Sequence, residues 1–152
     1  MATLFARATR LPAAALLALA LCVTPAIAVA ADGPLTPVYE QFGGKAGLAR
    51  LMDDFMDNLL ADPRTKTFFA DRDEDRIKLL LAEQFCALLE GPCTYNGRDM
   101  QATHADLAIR EENFNALVEA LQRAMDKNGI AFSAQNKLLA RLAPMYRVII
   151  TR

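Results

Sequence analysis

The feature that most constrains the fold of this chain is the helical spacing of its large apolar residues, which continues from about residue 45 to the C-terminus. Within 45–61 these residues recur every three or four positions, and the same period returns in 75–90 and 110–128. Each run ends at a residue type that stops helices, such as Asp62-Pro63 or Gly129. No alternating strand pattern competes with this period. The chain is therefore predicted to be all-α.

Shorter elements are predicted between and after these helices. Phe68 and Phe69 are expected in a turn, and 91–98 is expected to form a loop. A short helix is predicted at about 99–105. Ser133 is expected to cap a last helix that runs nearly to the C-terminus.

Residues 1–30 have the pattern of a secretory signal peptide. Arg7 and Arg10 precede an alanine- and leucine-rich run at 11–23, which is shorter than a bilayer span and is followed by small residues. The alternative is an uncleaved membrane anchor. We expect residues 31–152 to form a single exported domain, located in the bacterial periplasm.

The charge of the predicted mature chain argues against two classes of partner. Removal of residues 1–30 takes away two arginines and no acidic residue, which leaves 15 basic against 18 acidic residues, a net charge of about −3. This balance disfavours binding to nucleic acid or to an anionic membrane surface. The mature length of about 120 residues suits one domain with one core, which we expect to be a monomer.

Two cysteines, Cys86 and Cys93, lie in the predicted mature chain. They form no Cys-x-x-Cys-His motif, so covalent attachment of a c-type haem is excluded. In one continuous helix their backbones would lie about 10 Å apart, beyond the roughly 7 Å that a disulfide spans. Gly91-Pro92 interrupts that helix, and a disulfide therefore requires the chain to turn back there. The sequence leaves both a disulfide and two free thiols open.

His104 is the only histidine of the chain. A lone histidine is commonly a surface residue or a core residue with one hydrogen bond. Met100 lies four positions earlier and shares its helix face, and Leu107 and Ile109 add apolar surface nearby. A flat apolar cofactor held by one axial imidazole would account for this excess of apolar surface. Haem requires little more than one imidazole and an apolar slot.

Five short motifs occur in a set order along the chain: Gly43-Gly44, Phe68-Phe69, Gly91-Pro92, Tyr95-Asn96-Gly97, and methionine and histidine four positions apart at 100 and 104. With these motifs, residues 38 to 150 resemble the first group of truncated haemoglobins. The resemblance implies a truncated globin fold, in which a two-over-two helical sandwich surrounds haem b. It also implies that His104 is the proximal ligand of the iron.

The resemblance assigns further residues to the haem pocket. Phe69 is expected to stack on the porphyrin and Phe85 to line the distal side. The proximal side is expected to be lined by Met100, Leu107, Ile109 and Phe114. Three polar residues are candidates to lie near the propionates: Tyr95, Arg98 and Lys78.

The distal positions depart from the family pattern. The family usually places a tyrosine directly after a phenylalanine on the second helix, whereas Met56 follows Phe55 here. The positions that often carry a distal glutamine hold Ile77 and Leu81. Gln84 is the one amide nearby. The sequence therefore predicts an apolar distal pocket that retains oxygen weakly, because a hydrogen bond to a charged acceptor is worth about 1.5–3 kcal/mol.

These expectations describe a b-type haem protein that binds the diatomic ligands O2, NO and CO. The family resemblance also allows nitric oxide dioxygenation, which would need a reductant that the sequence does not identify. Met56 is either core filler or a thioether ligand that would give a His/Met iron suited to electron transfer. A helical module without haem is the remaining alternative.

Overall fold

The computed structural model describes residues 37–152, which lie within one compact unit spanning Asp32–Arg152. As predicted, this part of the chain is all-α, with no strand among the described residues. The predicted signal peptide lies outside them. None of the helices in 37–152 is long and apolar enough to cross a membrane. The α-helices are α1 Val38–Gln41, α2 Gly44–Ala61, α3 Pro63–Phe69, α4 Glu74–Leu88, α5 Met100–His104, α6 Glu111–Lys127, α7 Phe132–Leu142 and α8 Tyr146–Ile149.

The turn predicted at Phe68 and Phe69 is wrong, because both residues belong to the helix α3. Asp62 ends α2 and at the same time caps α3, where its carboxylate accepts a hydrogen bond from the Arg64 backbone N–H at 2.9 Å. Pro63 occupies the first helical position, where its missing N–H costs nothing. The same two residues therefore stop one helix and start the next.

The single long C-terminal helix is also wrong. It begins at Phe132 with Ala131 as its cap, so Ser133 lies inside the helix. It ends at Leu142, where Pro144 cannot supply a backbone donor and the chain continues as a 3₁₀ turn before α8. The C-terminus thereby changes direction and reaches the segment before α6. The Ile109 N–H donates to Thr151 Oγ1 at 2.9 Å.

The core forms where α2 packs along both α4 and α6. Leu51 and Leu59 of α2, Leu121 of α6 and Leu138 of α7 are almost completely buried. Polar contacts at the edge of this core fix the register, since Asn58 Nδ2 donates to the carbonyl of residue 120 at 3.0 Å. Together these contacts hold α4 and α6 against α2.

A disulfide joins Cys86 and Cys93, with their Cα atoms 5.8 Å apart, which settles the question that the sequence left open. The chain turns back at Gly91, whose N–H donates to the Cys86 carbonyl at 2.8 Å. A Cβ at Gly91 would lie 2.6 Å from the Tyr39 ring and 2.7 Å from Cys86 Sγ, so only glycine fits. Glu90 has φ 62°, the left-handed conformation that glycine usually adopts at this point.

Candidate functional site

A mainly apolar cavity of about 670 Å³ lies beside α4, with α5 and α6 contributing much of the remaining wall. It gathers residues from almost every helix between α2 and α8. Met56 and Lys78 are the two predicted site residues that do not line it. The others do: Phe69, Ile77, Leu81, Phe85, Tyr95, Arg98, Met100, His104, Leu107, Ile109 and Phe114. Three of the five sequence motifs, those at 68–69, 95–97 and 100–104, therefore meet at one cavity.

His104 is held in one orientation at the cavity wall. Its Nδ1 lies 2.7 Å from the Met100 carbonyl oxygen. Because a carbonyl can only accept, Nδ1 carries the proton and Nε2 keeps its lone pair. The helix that carries His104 is capped by Asp99, whose carboxylate accepts from the Ala102 N–H at 2.8 Å. In the neutral ring this hydrogen bond therefore leaves the lone pair on Nε2, where it is available to a metal ion.

The α4 side of the cavity offers mostly hydrocarbon. Ile77, Leu80, Leu81 and Phe85 face the cavity from α4, and Phe55 reaches it from α2. None of these side chains carries an N–H or O–H group. The predicted hydrocarbon character therefore holds at Ile77 and Leu81, while Arg76 and Gln84 add polar groups to the cavity from the same helix.

Met56 does not line the cavity, contrary to the sequence prediction. It is 2% exposed and buried within the protein, while its neighbour Phe55 lines the cavity. Adjacent residues of a helix point about 100° apart, and on α2 this difference leaves Phe55 at the cavity and Met56 buried away from it. The residue that sequence reasoning missed on α2 is therefore Phe55.

Gln84 is the one amide that α4 contributes to the cavity wall. It is 7% exposed, and its Nε2 donates to Met100 Sδ at 3.4 Å and to Met145 Sδ at 3.8 Å. Thioether sulfur is a weak acceptor. This contact joins α4 to α5 and to the 3₁₀ turn Ala143–Met145 at one end of the cavity.

The loop before α5 supplies a polar part of the wall. The Tyr95 O–H donates to the Arg98 carbonyl at 2.9 Å, and burial raises the pKa of this phenol, so the hydroxyl stays protonated. Arg98 in turn donates from Nη2 to the Ala102 carbonyl at 2.7 Å. Gly97 is required because a Cβ there would overlap the Tyr95 ring and hydroxyl.

Lys78 is not part of this wall. Its ammonium lies 3.0 Å from Asp53 Oδ1 and 3.1 Å from Asp75 Oδ1, and these carboxylates raise its pKa. Arg72 and Arg76 line the cavity instead, together with Arg98. Arg72 lies just before α4 and Arg76 lies in its first turn, and this spacing of four residues was the sequence signal that could have identified them.

The opposite side of the cavity is closed by the C-terminal part of the chain. Ile109 is 7% exposed, and its carbonyl accepts from the Thr151 N–H at 3.0 Å. Phe114 of α6 packs edge-to-face on Tyr146 of α8, with ring centroids 5.0 Å apart. The segment between His104 and α6 is therefore pinned at its far end.

Residues 37–151 match the family model described as bacterial-like globin. A group 1 truncated hemoglobin of Mycolicibacterium paratuberculosis is 28% identical over 114 residues, which cover 75% of this chain and 84% of that relative. A group 1 truncated hemoglobin of Tetrahymena pyriformis is 28% identical over 100 residues, covering 66% of this chain and 83% of that relative.

Two solved structures have the same arrangement of helices. The Fe(III) form of the Tetrahymena pyriformis truncated hemoglobin superposes with a TM-score of 0.72 at 24% identity, covering 77% of this chain and all of that one. The 2/2 hemoglobin of Synechococcus in its cyanomet state gives a TM-score of 0.71 at 22% identity, again over 77% of this chain and 100% of that one. The predicted two-over-two helical sandwich is confirmed.

Proposed function

Because the chain belongs to the bacterial-like globin family, we propose that its cavity holds haem b and that the protein binds diatomic gases there. His104 is proposed as the one protein ligand of the iron. The observation that carries this proposal is the orientation of His104, which lines the cavity with Nδ1 tied to a carbonyl and Nε2 free.

The residues of the cavity fit haem in three respects. The cavity volume of about 670 Å³ and its apolar wall suit a porphyrin ring. A neutral imidazole with a free Nε2 is the ligand that the iron needs. The third respect is charge, since Arg72, Arg76 and Arg98 bring three guanidinium groups to the wall, where they would bind the two propionate carboxylates. When bound, haem supplies an iron atom that can take O2, NO or CO as a further ligand.

The protein side chains decide how firmly such a ligand is kept. The α4 wall and Phe55 exclude water but donate no hydrogen bond from Ile77 or Leu81. A ligand that becomes negatively polarised, as O2 does, gains nothing from these residues, whereas CO and NO depend less on a donor. The protein is therefore proposed to bind oxygen reversibly and release it quickly.

Two alternative functions receive less support from the cavity. Nitric oxide dioxygenation requires oxygen to be retained until nitric oxide arrives and requires a reductant, and the hydrocarbon side chains at Ile77 and Leu81 do not favour retention. The His/Met iron that the sequence allowed through Met56 is not supported, because Met56 does not line the cavity. Gas binding by the haem protein is thus the function that the cavity favours.

Export through a signal peptide at residues 1–30, to the bacterial periplasm, is proposed for the same protein. The Cys86–Cys93 disulfide supports this location, because disulfides persist in oxidising compartments and are rare in the cytosol. The protein is proposed to act as a monomer and to depend on a separate reductant that keeps the iron ferrous.

Haem titration of the purified protein tests the proposal. We expect one equivalent of haem to give a Soret band, and we expect His104→Ala to weaken haem binding and change that spectrum. Gln101→Ala is the matched control, since Gln101 lies on the same helix but is exposed and outside the cavity wall. A spectrum in His104→Ala identical to that of the wild type would contradict the assignment of the ligand.

A further inference from the structure

The segment between the disulfide and α5 contributes four consecutive residues to the cavity wall. Tyr95, Asn96, Gly97 and Arg98 all line the cavity, and the chain then enters the helix that carries His104. This segment therefore forms a continuous part of the wall next to the proposed iron ligand. Movement of this segment would open that part of the cavity wall.

The hydrogen bonds of this segment are all local. Asn96 Nδ2 donates a hydrogen bond to the Thr94 carbonyl at 3.1 Å. The hydrogen bonds that Tyr95 and Arg98 donate reach acceptors at most four positions away. Among the residues that the structure describes, the hydrogen bonds of 94–98 reach no further than α5. The helix that follows has only five residues, too few to be stable on its own.

The disulfide gives this segment its covalent anchor. Cys86 is 1% exposed on α4, which is packed against α2, and it lies one residue after the cavity residue Phe85. Cys93 lies two residues before Tyr95. The bond therefore fastens one end of a weakly held loop to the rigid α4 wall, while the C-terminal contacts of Ile109 fasten the chain beyond α5.

We propose that the Cys86–Cys93 bond is a redox-sensitive strap that keeps the cavity closed around its haem, and that its reduction speeds haem loss. The haem part of this inference rests on the proposed function. In the reaction, a dithiol gives two electrons and two protons to the S–S bond, which becomes two cysteine thiols, while the dithiol closes to its own disulfide. Cys93 is half-buried, whereas Cys86 is almost fully buried, so the incoming thiolate attacks the Cys93 sulfur.

The effect on haem is measured by transfer of haem from the protein to excess apomyoglobin, with and without dithiothreitol. We expect reduction to speed haem loss by roughly tenfold, within the range that losing a short-loop disulfide allows. The control is the double variant Cys86→Ser with Cys93→Ser, and both proteins carry Cys22→Ser so that no other cysteine can pair. The double variant should lose haem rapidly with or without the reductant. If the protein that keeps Cys86 and Cys93 loses haem at the same rate with and without dithiothreitol, with both thiols confirmed by mass, the proposed strap is overturned.

Hydrogen exchange of the haem-free protein separates this inference from the proposed function. Reduction should increase amide exchange at 94–98 and leave the helix Phe132–Leu142 unchanged. If the protein binds no haem but shows this local increase, the proposed function fails together with the haem part of this inference, while the redox-sensitive fastening of 94–98 stands. If exchange at 94–98 does not respond to reduction, the strap fails whatever the haem titration shows.

Discussion

Replacing Leu81 with glutamine should slow oxygen dissociation, because it would add a hydrogen-bond donor to the hydrocarbon wall of the cavity. Leu81 is half-buried, lines the cavity and lies one turn of α4 beyond Ile77. Leucine and glutamine have similar volumes, so the change alters polarity more than packing. A hydrogen bond to a charged acceptor contributes about 1.5–3 kcal/mol, which corresponds to a decrease in the oxygen dissociation rate of about 10- to 150-fold.

The new amide also has a cost in the ligand-free protein. The side chains beside it, Leu80 and Phe85, offer no hydrogen-bond partner. A fully buried unpaired amide destabilises a protein by about 1–3 kcal/mol, and because Leu81 is only half-buried we expect a smaller decrease in the free energy of unfolding of Leu81→Gln without a ligand. Oxygen should partly restore that stability, and carbon monoxide should restore less, because it carries less negative charge when bound.

Stopped-flow displacement of oxygen by carbon monoxide measures the dissociation rate directly. Leu79→Gln is the matched control, since Leu79 lies on the same helix, is 58% exposed and does not line the cavity. The control should release oxygen at the wild-type rate. Equal rates in Leu81→Gln and the wild type, or a wild-type rate as slow as in tyrosine-bearing relatives, would refute the apolar-wall argument.

Three further predictions concern stability. Glu90→Gly should raise the free energy of unfolding by up to about 1 kcal/mol in urea denaturation, because it relieves a left-handed backbone at φ 62° and removes only an exposed ion pair with Arg141. Gly91→Ala should lower it by about 1–3 kcal/mol, because the added methyl would press on an aromatic ring and a disulfide sulfur. Hydrogen bonds from Arg64 lower the pKa of the Asp62 carboxylate from 3.8 to about 2. This carboxylate should therefore contribute stability above pH 4 that is lost as the pH falls through 2. An unchanged acid-unfolding profile in Asp62→Asn would contradict this.

The helices could be predicted from the sequence wherever one signal decided the structure. Gly129 stops α6, and the apolar period defines α2 and α4 to within a residue or two. The two errors arose where one sequence signal hid another. Asp62 both ends a helix and caps the next, and Pro144 breaks a run whose apolar period continues past it.

The motifs that form the site could be predicted from the sequence, but the directions in which some of their side chains point could not. His104 and Met100 share a face by their spacing alone, and that face does meet the cavity. Whether Phe55 or Met56 faces the cavity depends on the rotation of α2, which packing with α4 and α6 sets. Lys78 is held away from the cavity wall by Asp53, 25 positions earlier, a contact that no local pattern reveals.

The disulfide shows the same limit. Gly91-Pro92 indicates that the helix stops. The chain after it packs against Tyr39, a residue far earlier in the sequence. The glycine packs closely on that ring where the chain turns back and brings Cys93 to Cys86. Sequence spacing alone therefore allowed both outcomes.

The central claim, that His104 alone holds the iron from the protein side, is tested most directly by resonance Raman spectroscopy of the ferrous protein without added ligand. We expect a five-coordinate high-spin iron with one iron–imidazole stretching band. In His104→Gly that band should disappear, and added imidazole should restore it. A six-coordinate low-spin spectrum in the wild type, or an iron–imidazole band that persists in His104→Gly without imidazole, would contradict the claim.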